Sequence, residues 1–284
     1  VTTLGSIIAS GFLWSAAVRT ALAVGAAVAL VSGPLGVFTV IRGQSFAGEA
    51  LGDIGTTGGS GAFLVGVGPL WGFLIINVAA GALMELVGVQ RRVGRDLATG
   101  VVLGAGLGLA ALFLYLESTL HSTTGVAVGI LFGSLFTFDT STLPVVLALA
   151  LLVLVALMLL ARPLMLASAS PELAAARGVP VALVGYAYLL SLSLSIALCA
   201  VTIGSILSTA LLIGPAAAAL RIARRPGRAM AGAAALGIAA TSLGVLLAYD
   251  SYDWPPHDRG WPVSFFVVTL VFVEYLLCGL ARDH

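Results

Sequence analysis

The chain is 284 residues long, 60% hydrophobic and 9% charged, with a mean hydropathy of +1.13, a composition that excludes a soluble globular domain. A net charge of +1 leaves no basic footprint for nucleic acid, and the basic loops serve orientation and anionic lipid headgroups instead. Strand-like alternation is missing, which excludes an outer-membrane barrel.

A helix that crosses a bilayer needs about 20 apolar residues. Such runs recur over residues 20–41, 46–66, 70–88, 97–116, 143–161, 181–199, 203–220, 229–248 and 262–281. The expected fold class is an all-α polytopic membrane protein, a single transmembrane domain over 1–284 with about nine transmembrane helices. Residues 1–14 read as an interfacial helix, without the basic start and cleavage pattern of a secretory signal. The run from Gly125 to Phe136, bracketed by Ser122-Thr-Thr124 and Asp139-Thr-Ser-Thr142, is too short to cross and reads as a re-entrant segment or half-helix.

All 13 basic residues are arginine. If Gly125 to Phe136 does not cross, Arg42, Arg91, Arg92, Arg95, Arg162, Arg177, Arg221, Arg224, Arg225, Arg228 and Arg282 fall on one side, leaving Arg19 and Arg259. By the positive-inside rule the arginine side is cytoplasmic, with the amino terminus outside and the carboxy terminus inside.

In the second span, Phe46-Ala-Gly-Glu-Ala-Leu-Gly-Asp-Ile-Gly55 carries Glu49 and Asp53, four residues apart and so on one helix face. An ionisable group at membrane depth costs at least about 2.5 to 3.5 kcal/mol on insertion scales, so the pair points to a water-lined path or a bound cation. The other reading is a helix start near the surface, with Glu49 paired to Arg42 in solvent. Gly52, Gly55, Gly58, Gly59 and Gly61 suit close helix packing or a broken helix. Glu85 and Asp96, beside arginines at inward span ends, read as surface ion-pair partners.

The longest inward connection holds Ser168-Ala-Ser-Pro-Glu-Leu-Ala-Ala-Ala-Arg-Gly178. Ser170 suits an N-cap, Pro171 the first helical position, Glu172 the positive dipole end, and Gly178 the stop. This predicts a helix of about two turns, either an interfacial loop helix or a dock for a soluble partner. Cys199 and Cys278 read as small packing residues. The outer loop Tyr249-Asp-Ser-Tyr-Asp-Trp-Pro-Pro-His-Asp-Arg-Gly260 gathers Asp250, Asp253, His257 and Asp258. It is read either as a solvated, proline-stiffened loop or as a weak metal-catching and docking surface. Glu274, in the last span, is a second polar station or a structural partner for a buried arginine or tyrosine.

With no lysine, the chain has no G-x-x-x-x-G-K-[ST] phosphate loop, so any ATP that drives it is hydrolysed by another subunit. The three histidines, His121, His257 and His284, form no HExxH or Ser/His/Asp arrangement.

Five segments, in order, carry a family resemblance. They are Arg42-Gly-Gln-Ser-Phe-Ala-Gly-Glu-Ala-Leu-Gly-Asp53, Val93-Gly-Arg-Asp-Leu-Ala-Thr-Gly100, Leu131-Phe-Gly-Ser-Leu135, Pro171-Glu-Leu-Ala-Ala-Ala-Arg-Gly-Val179 and Thr202-Ile-Gly-Ser-Ile-Leu-Ser-Thr-Ala-Leu-Leu-Ile-Gly-Pro-Ala-Ala-Ala-Ala219. Over most of its length the chain resembles the permease subunits of ATP-binding-cassette importers for zinc and manganese. The resemblance implies a homodimer in the cytoplasmic (inner) membrane with its pathway between protomers, two ATPase subunits inside and an extracytoplasmic metal-binding protein outside. It implies no resident cofactor: Mn²⁺ or Zn²⁺ is cargo, and ATP sits on the partner. Pro171, Glu172, Leu173, Ala174, Ala175, Ala176, Arg177 and Gly178 correspond to the helix that couples to the ATPase.

One departure bears on the cargo. Where the family carries aspartate and histidine at i and i+4, this chain has Glu49 and Asp53. Carboxylates favour harder ions such as Mn²⁺, while zinc also accepts them. The other functions in play are an ABC importer for a metal chelate or haem and an ion-coupled secondary transporter.

Overall fold

The computed structural model describes residues 15–86, 95–120, 124–133, 135–137, 141–254 and 260–281. Residues 1–14, His257 and Asp258 lie outside that range, so the interfacial helix and half of the outer-loop cluster are not tested. The described residues form α1 (Ala16–Ile41), α2 (Ser45–Leu64), α3 (Pro69–Leu86), α4 (Arg95–Leu120), α5 (Thr124–Phe132), α6 (Leu143–Ala169), α7 (Pro171–Ala176), α8 (Val181–Ile203), α9 (Ser208–Ile222), α10 (Pro226–Asp250) and α11 (Val263–Leu280). Short 3-10 turns cover Leu135–Thr137 and Ser251–Asp253. The all-helical expectation holds throughout the described residues.

Among the described residues six helices, α1, α4, α6, α8, α10 and α11, are long and apolar enough to cross a membrane, and α3 and α9 are shorter apolar helices. The chain is therefore a multi-pass membrane protein. At 20 residues α2 is long enough, but Glu49, Asp53, Thr56, Thr57 and Ser60 make it too polar to join that set. Such a helix is stable at membrane depth only when protein shields it from lipid. Accordingly α2 packs against α3 and α4 along its length and touches α8 and α9, and most of its residues are buried.

The buried centre is built on α1 and α8, with Leu35, Phe38, Tyr188, Leu192 and Ile196 at its core. α6 turns Leu151, Leu152, Met158 and Leu159 outward, an apolar face suited to lipid. Small residues let the inner helices approach backbone to backbone. A Cβ on Gly36 would strike the Leu212 carbonyl, and one on Gly72 would strike that of Gly58.

α5 has nine residues and so is about 13 Å long, under half of a hydrocarbon core of about 30 Å. The short run is a half-length helix, as its sequence predicts. The spans read as 181–199 and 203–220 need a shift: α8 continues to Ile203 and α9 begins at Ser208. Ala200, Val201 and Ile203 are as apolar as the spans on either side, so hydropathy carries no signal for where the break falls.

Candidate functional site

On α2, residues 49, 53, 56 and 60 fall within about 60° of helical arc. They make a stripe of Glu49, Asp53, Thr56 and Ser60 that is about 16 Å long. Gly48 and Gly52, on one flank, face Leu212 and Ser208 of α9. On the other flank Ile54 meets Gly106 of α4, Thr57 donates to the Gly106 carbonyl at 2.6 Å, and Gly61 meets Phe113. Burial deepens along the stripe: Glu49 is exposed, Asp53 is half-buried, and Thr56 and Ser60 are buried. Glu49 and Asp53 are close enough to repel each other, the arrangement a divalent cation relieves.

Arg42 does not simply serve as a partner for Glu49. Its guanidinium donates to Gln44 Oε1 at 3.2 Å and Ser168 Oγ at 3.3 Å, and it lies 5.0 Å from the centre of the Tyr188 ring. Among the described residues no three His, Cys, Asp or Glu side chains gather into a metal-ligating group. Within one chain, Glu49 and Asp53 are thus a two-carboxylate set flanked by hydroxyls.

Within the buried half of the stripe, Thr56 meets the α8–α9 break. Thr56 donates to Ser205 Oγ at 2.7 Å, and Ser208 donates to the Ser205 carbonyl at 2.8 Å. A buried hydroxyl left without a partner costs about 1–3 kcal/mol, so these bonds keep polar side chains tolerable in an apolar bundle. The sequence reading missed Thr56, Ser60 and Ser205. Polar residues at i, i+4, i+7 and i+11 from Glu49 were the available signal for the first two.

The short helix α7 forms as its punctuation predicts. Ser170 Oγ accepts from the Leu173 N–H at 3.3 Å, and the Gly178 N–H closes onto the Ala175 carbonyl at 2.9 Å. Ala174 is buried as the anchor, while Pro171, Glu172, Leu173, Ala175, Ala176, Arg177 and Gly178 are exposed.

Asp250 ends α10 half-buried, and Asp253 ends the following 3-10 turn. Next to them Trp254, Trp261, Phe265 and Phe266 form a cluster with ring centroids 5.3–6.2 Å apart. Glu274, read as a second polar station or as a partner for a buried arginine or tyrosine, does not take the nearby arginine, which goes to its neighbour. Arg221 on α9 lies over the Tyr275 ring, 3.7 Å from the centroid, and donates to the Tyr275 hydroxyl. Glu274 Oε2 is buried without a hydrogen bond. Successive side chains are turned by about 100° on a helix, so residue 275 faces Arg221 while residue 274 points to one side of it. A further carboxylate the sequence reading overlooked, Glu117 on α4, is 3% exposed.

A model of the ABC 3 transport family matches residues 15–278. The chain belongs to the ABC 3 transport family. It is 30% identical to the manganese transport system membrane protein MntC of Halalkalibacterium halodurans, over 82% of this chain and 79% of that one. It is 27% identical to the high-affinity zinc uptake system membrane protein ZnuB of Haemophilus influenzae, over 82% and 88%. In structure it superposes with a TM-score of 0.82 and 21% identity on a chain of PsaBC from Streptococcus pneumoniae in complex with Fab, covering 97% and 95% of the two chains. At that identity the last likeness speaks for the fold.

Proposed function

We propose that this ABC 3 family member is the membrane permease of an importer that moves a divalent transition metal into the cytoplasm, with Glu49 and Asp53 in its pathway. The observation that carries the reading is α2 itself, a helix too polar for lipid, shielded inside the bundle, with two carboxylates along one edge. Manganese and zinc transport both occur among the names of its relatives. The oxygen-only donor set favours manganese as cargo, and zinc is the second reading.

In this scheme nine helices cross the inner membrane, with the amino terminus outside and α5 re-entrant. Two copies face each other, so that four carboxylates meet one ion, which two from a single chain cannot enclose. An extracytoplasmic metal-binding protein delivers the ion at the aromatic outer end near Trp254 and Trp261, where Asp250, Asp253, His257 and Asp258 are the weaker candidate contacts. A pair of ATPase subunits docks on α7, whose exposed Leu173, 51% accessible, is the apolar contact. ATP binding there moves α7 and changes which side is open. Glu274, whose Oε2 has no hydrogen bond, is a further weak candidate contact.

The test is total cellular manganese, zinc and iron, measured by mass spectrometry under metal limitation in a deletion strain. Complementation uses the wild type or Glu49→Gln with Asp53→Asn. Loss of one metal, restored only by the wild type, names the cargo. Unchanged metal content in the deletion strain would move the assignment to a chelate or haem importer.

A further inference from the structure

Thr56, the third residue of the polar stripe of α2, lies where two other segments are interrupted. α8 stops at Ile203 and α9 resumes at Ser208. α5 stops at Phe132. The glycines at the two stops, Gly133 (φ +77°) and Gly204 (φ +92°), adopt backbone conformations that L side chains rarely take, and a Cβ on either would collide with the other segment's backbone. Interrupted backbone at membrane depth persists only where it is buried in protein or lines a polar cavity, and in transporters such breaks accompany ion sites.

At this crossing one hydrogen-bonded chain joins three elements. Thr56 Oγ1 donates to Ser205 Oγ at 2.7 Å; Ser205 Oγ then donates to the Ile130 carbonyl at 3.4 Å, and the Ser205 N–H reaches the same oxygen at 3.2 Å. Thr56 is 4% exposed and Ser205 1%, whereas Asp53, less than one turn away, is half-buried and Glu49 is open. The stripe is therefore open at its carboxylate end and shut at its hydroxyl end.

We propose that the Thr56–Ser205 pair is the closed seal of the cation route, and that when it parts, its hydroxyls and the Ile130 carbonyl form a neutral oxygen step beside Asp53. This rests on the metal-importer reading. Neutral oxygens suit both tasks: they satisfy one another when closed, and when open they hold a cation weakly enough to let it move on to the carboxylates. Thr56 and Ser205 act here as gating and positioning residues.

The test uses the full permease with its ATPase partner in proteoliposomes, without nucleotide, with Mn²⁺ outside and a Mn²⁺-quenched dye inside. Thr56→Val keeps the shape and removes the hydroxyl; Ser205→Ala removes its partner. Each is expected to raise passive Mn²⁺ entry several-fold over the wild type, Thr56→Ser to return it to the wild-type rate, and Glu49→Gln with Asp53→Asn, added to Thr56→Val, to lower it again. Entry at the wild-type rate in both single variants overturns the seal, as does a leak indifferent to the carboxylates, which would report general loosening. Should Thr56→Val fail to assemble, the smaller Ser205→Ala change decides the matter. A separate arm follows ATP-driven uptake of Mn²⁺ and Zn²⁺ by the wild type with its metal-binding protein. Absence of both overturns the importer reading and the seal with it; uptake of either without a leak in the variants overturns the seal alone.

Discussion

Arg42 and Ser168 tie the turn that leads into the carboxylate-bearing helix to the segment that enters α7. The Arg42 guanidinium donates to Ser168 Oγ at 3.3 Å, while Ser168 also donates to the Leu164 carbonyl of its own helix at 2.6 Å. Arg42 lies three residues before α2, and Ser168 two before the Ser170 cap of α7. The same guanidinium rests over Tyr188, whose hydroxyl is bonded to Thr39 at 2.9 Å. A displacement of α7 therefore reaches the start of α2 through a side chain held on several sides.

Arg42→Gln is expected to leave the permease folded and ATPase-bound but to weaken this tie. A hydrogen bond from a charged donor contributes about 1.5–3 kcal/mol, and 1.4 kcal/mol corresponds to about a factor of ten. Metal moved per ATP should thus fall by at least about tenfold, with Ser168→Ala causing a smaller loss in the same direction. Parallel measurement of ATP hydrolysis and metal uptake in proteoliposomes checks this; an unchanged ratio in Arg42→Gln places the tie outside the coupling route.

Glu49→Gln with Asp53→Asn should abolish transport while leaving assembly with the ATPase intact, since Glu49 is exposed and Asp53 only half-buried. Asp53→His supplies the sharper comparison. Imidazole suits zinc better than it suits manganese, so the variant's Zn²⁺:Mn²⁺ uptake ratio should rise above that of the wild type. Equal ratios in competition uptake would mean that position 53 does not touch the ion.

How much of this site was legible in the sequence depends on distance along the chain. Glu49 and Asp53 were visible because a carboxylate pair at i, i+4 in an apolar stretch is costly and local. The Ser170–Gly178 helix was visible because capping chemistry is local too. Thr56 and Ser60 share the stripe, but hydroxyls are common on helices and bond back to their own turn, as Ser60 does to the Thr56 carbonyl at 2.6 Å. Ser205 could not be joined to Thr56 from the sequence: 149 residues separate them, and only the packing of α2 against the α8–α9 break brings them together. The partner of Arg221 was hidden for a related reason, because the rotation of α11 decides whether residue 274 or 275 faces α9.

Gly72→Ala tests the close approach of α2 and α3. A methyl at 72 would run into the Gly58 carbonyl, and one at 58 into the Gly72 carbonyl, so neither helix can yield by moving a side chain. Overpacking of this kind costs about 1–3 kcal/mol, and the thermal midpoint in detergent should fall by several degrees. Gly104→Ala, on α4 where a Cβ meets open space, should leave it unchanged or raise it slightly, since alanine is the better helix former. Equal midpoints for the two variants would show that α2 and α3 are not packed this tightly.

α7 gives the most discriminating test of coupling because it is so short. Its helix has six residues, capped by Ser170 at one end and by Arg177 N–H bonds to the Leu173 and Ala174 carbonyls at the other. Proline at 175 removes a backbone donor and clashes with the carbonyl four residues earlier, at a cost of about 3 kcal/mol or more, which one and a half turns cannot absorb. Ser170→Ala removes only the cap, about 1 kcal/mol. If α7 transmits the ATPase stroke, Ala175→Pro should abolish uptake while the assembled ATPase still hydrolyses ATP, and Ser170→Ala should give an intermediate loss. Because Ala174 is buried and Ala175 exposed, Ala175→Ser changes the docking face little and should behave as wild type. Normal uptake per ATP in Ala175→Pro would move the docking surface elsewhere on the chain, whereas loss of the ATPase subunits from the purified complex would show that α7 holds them as well as responding to them.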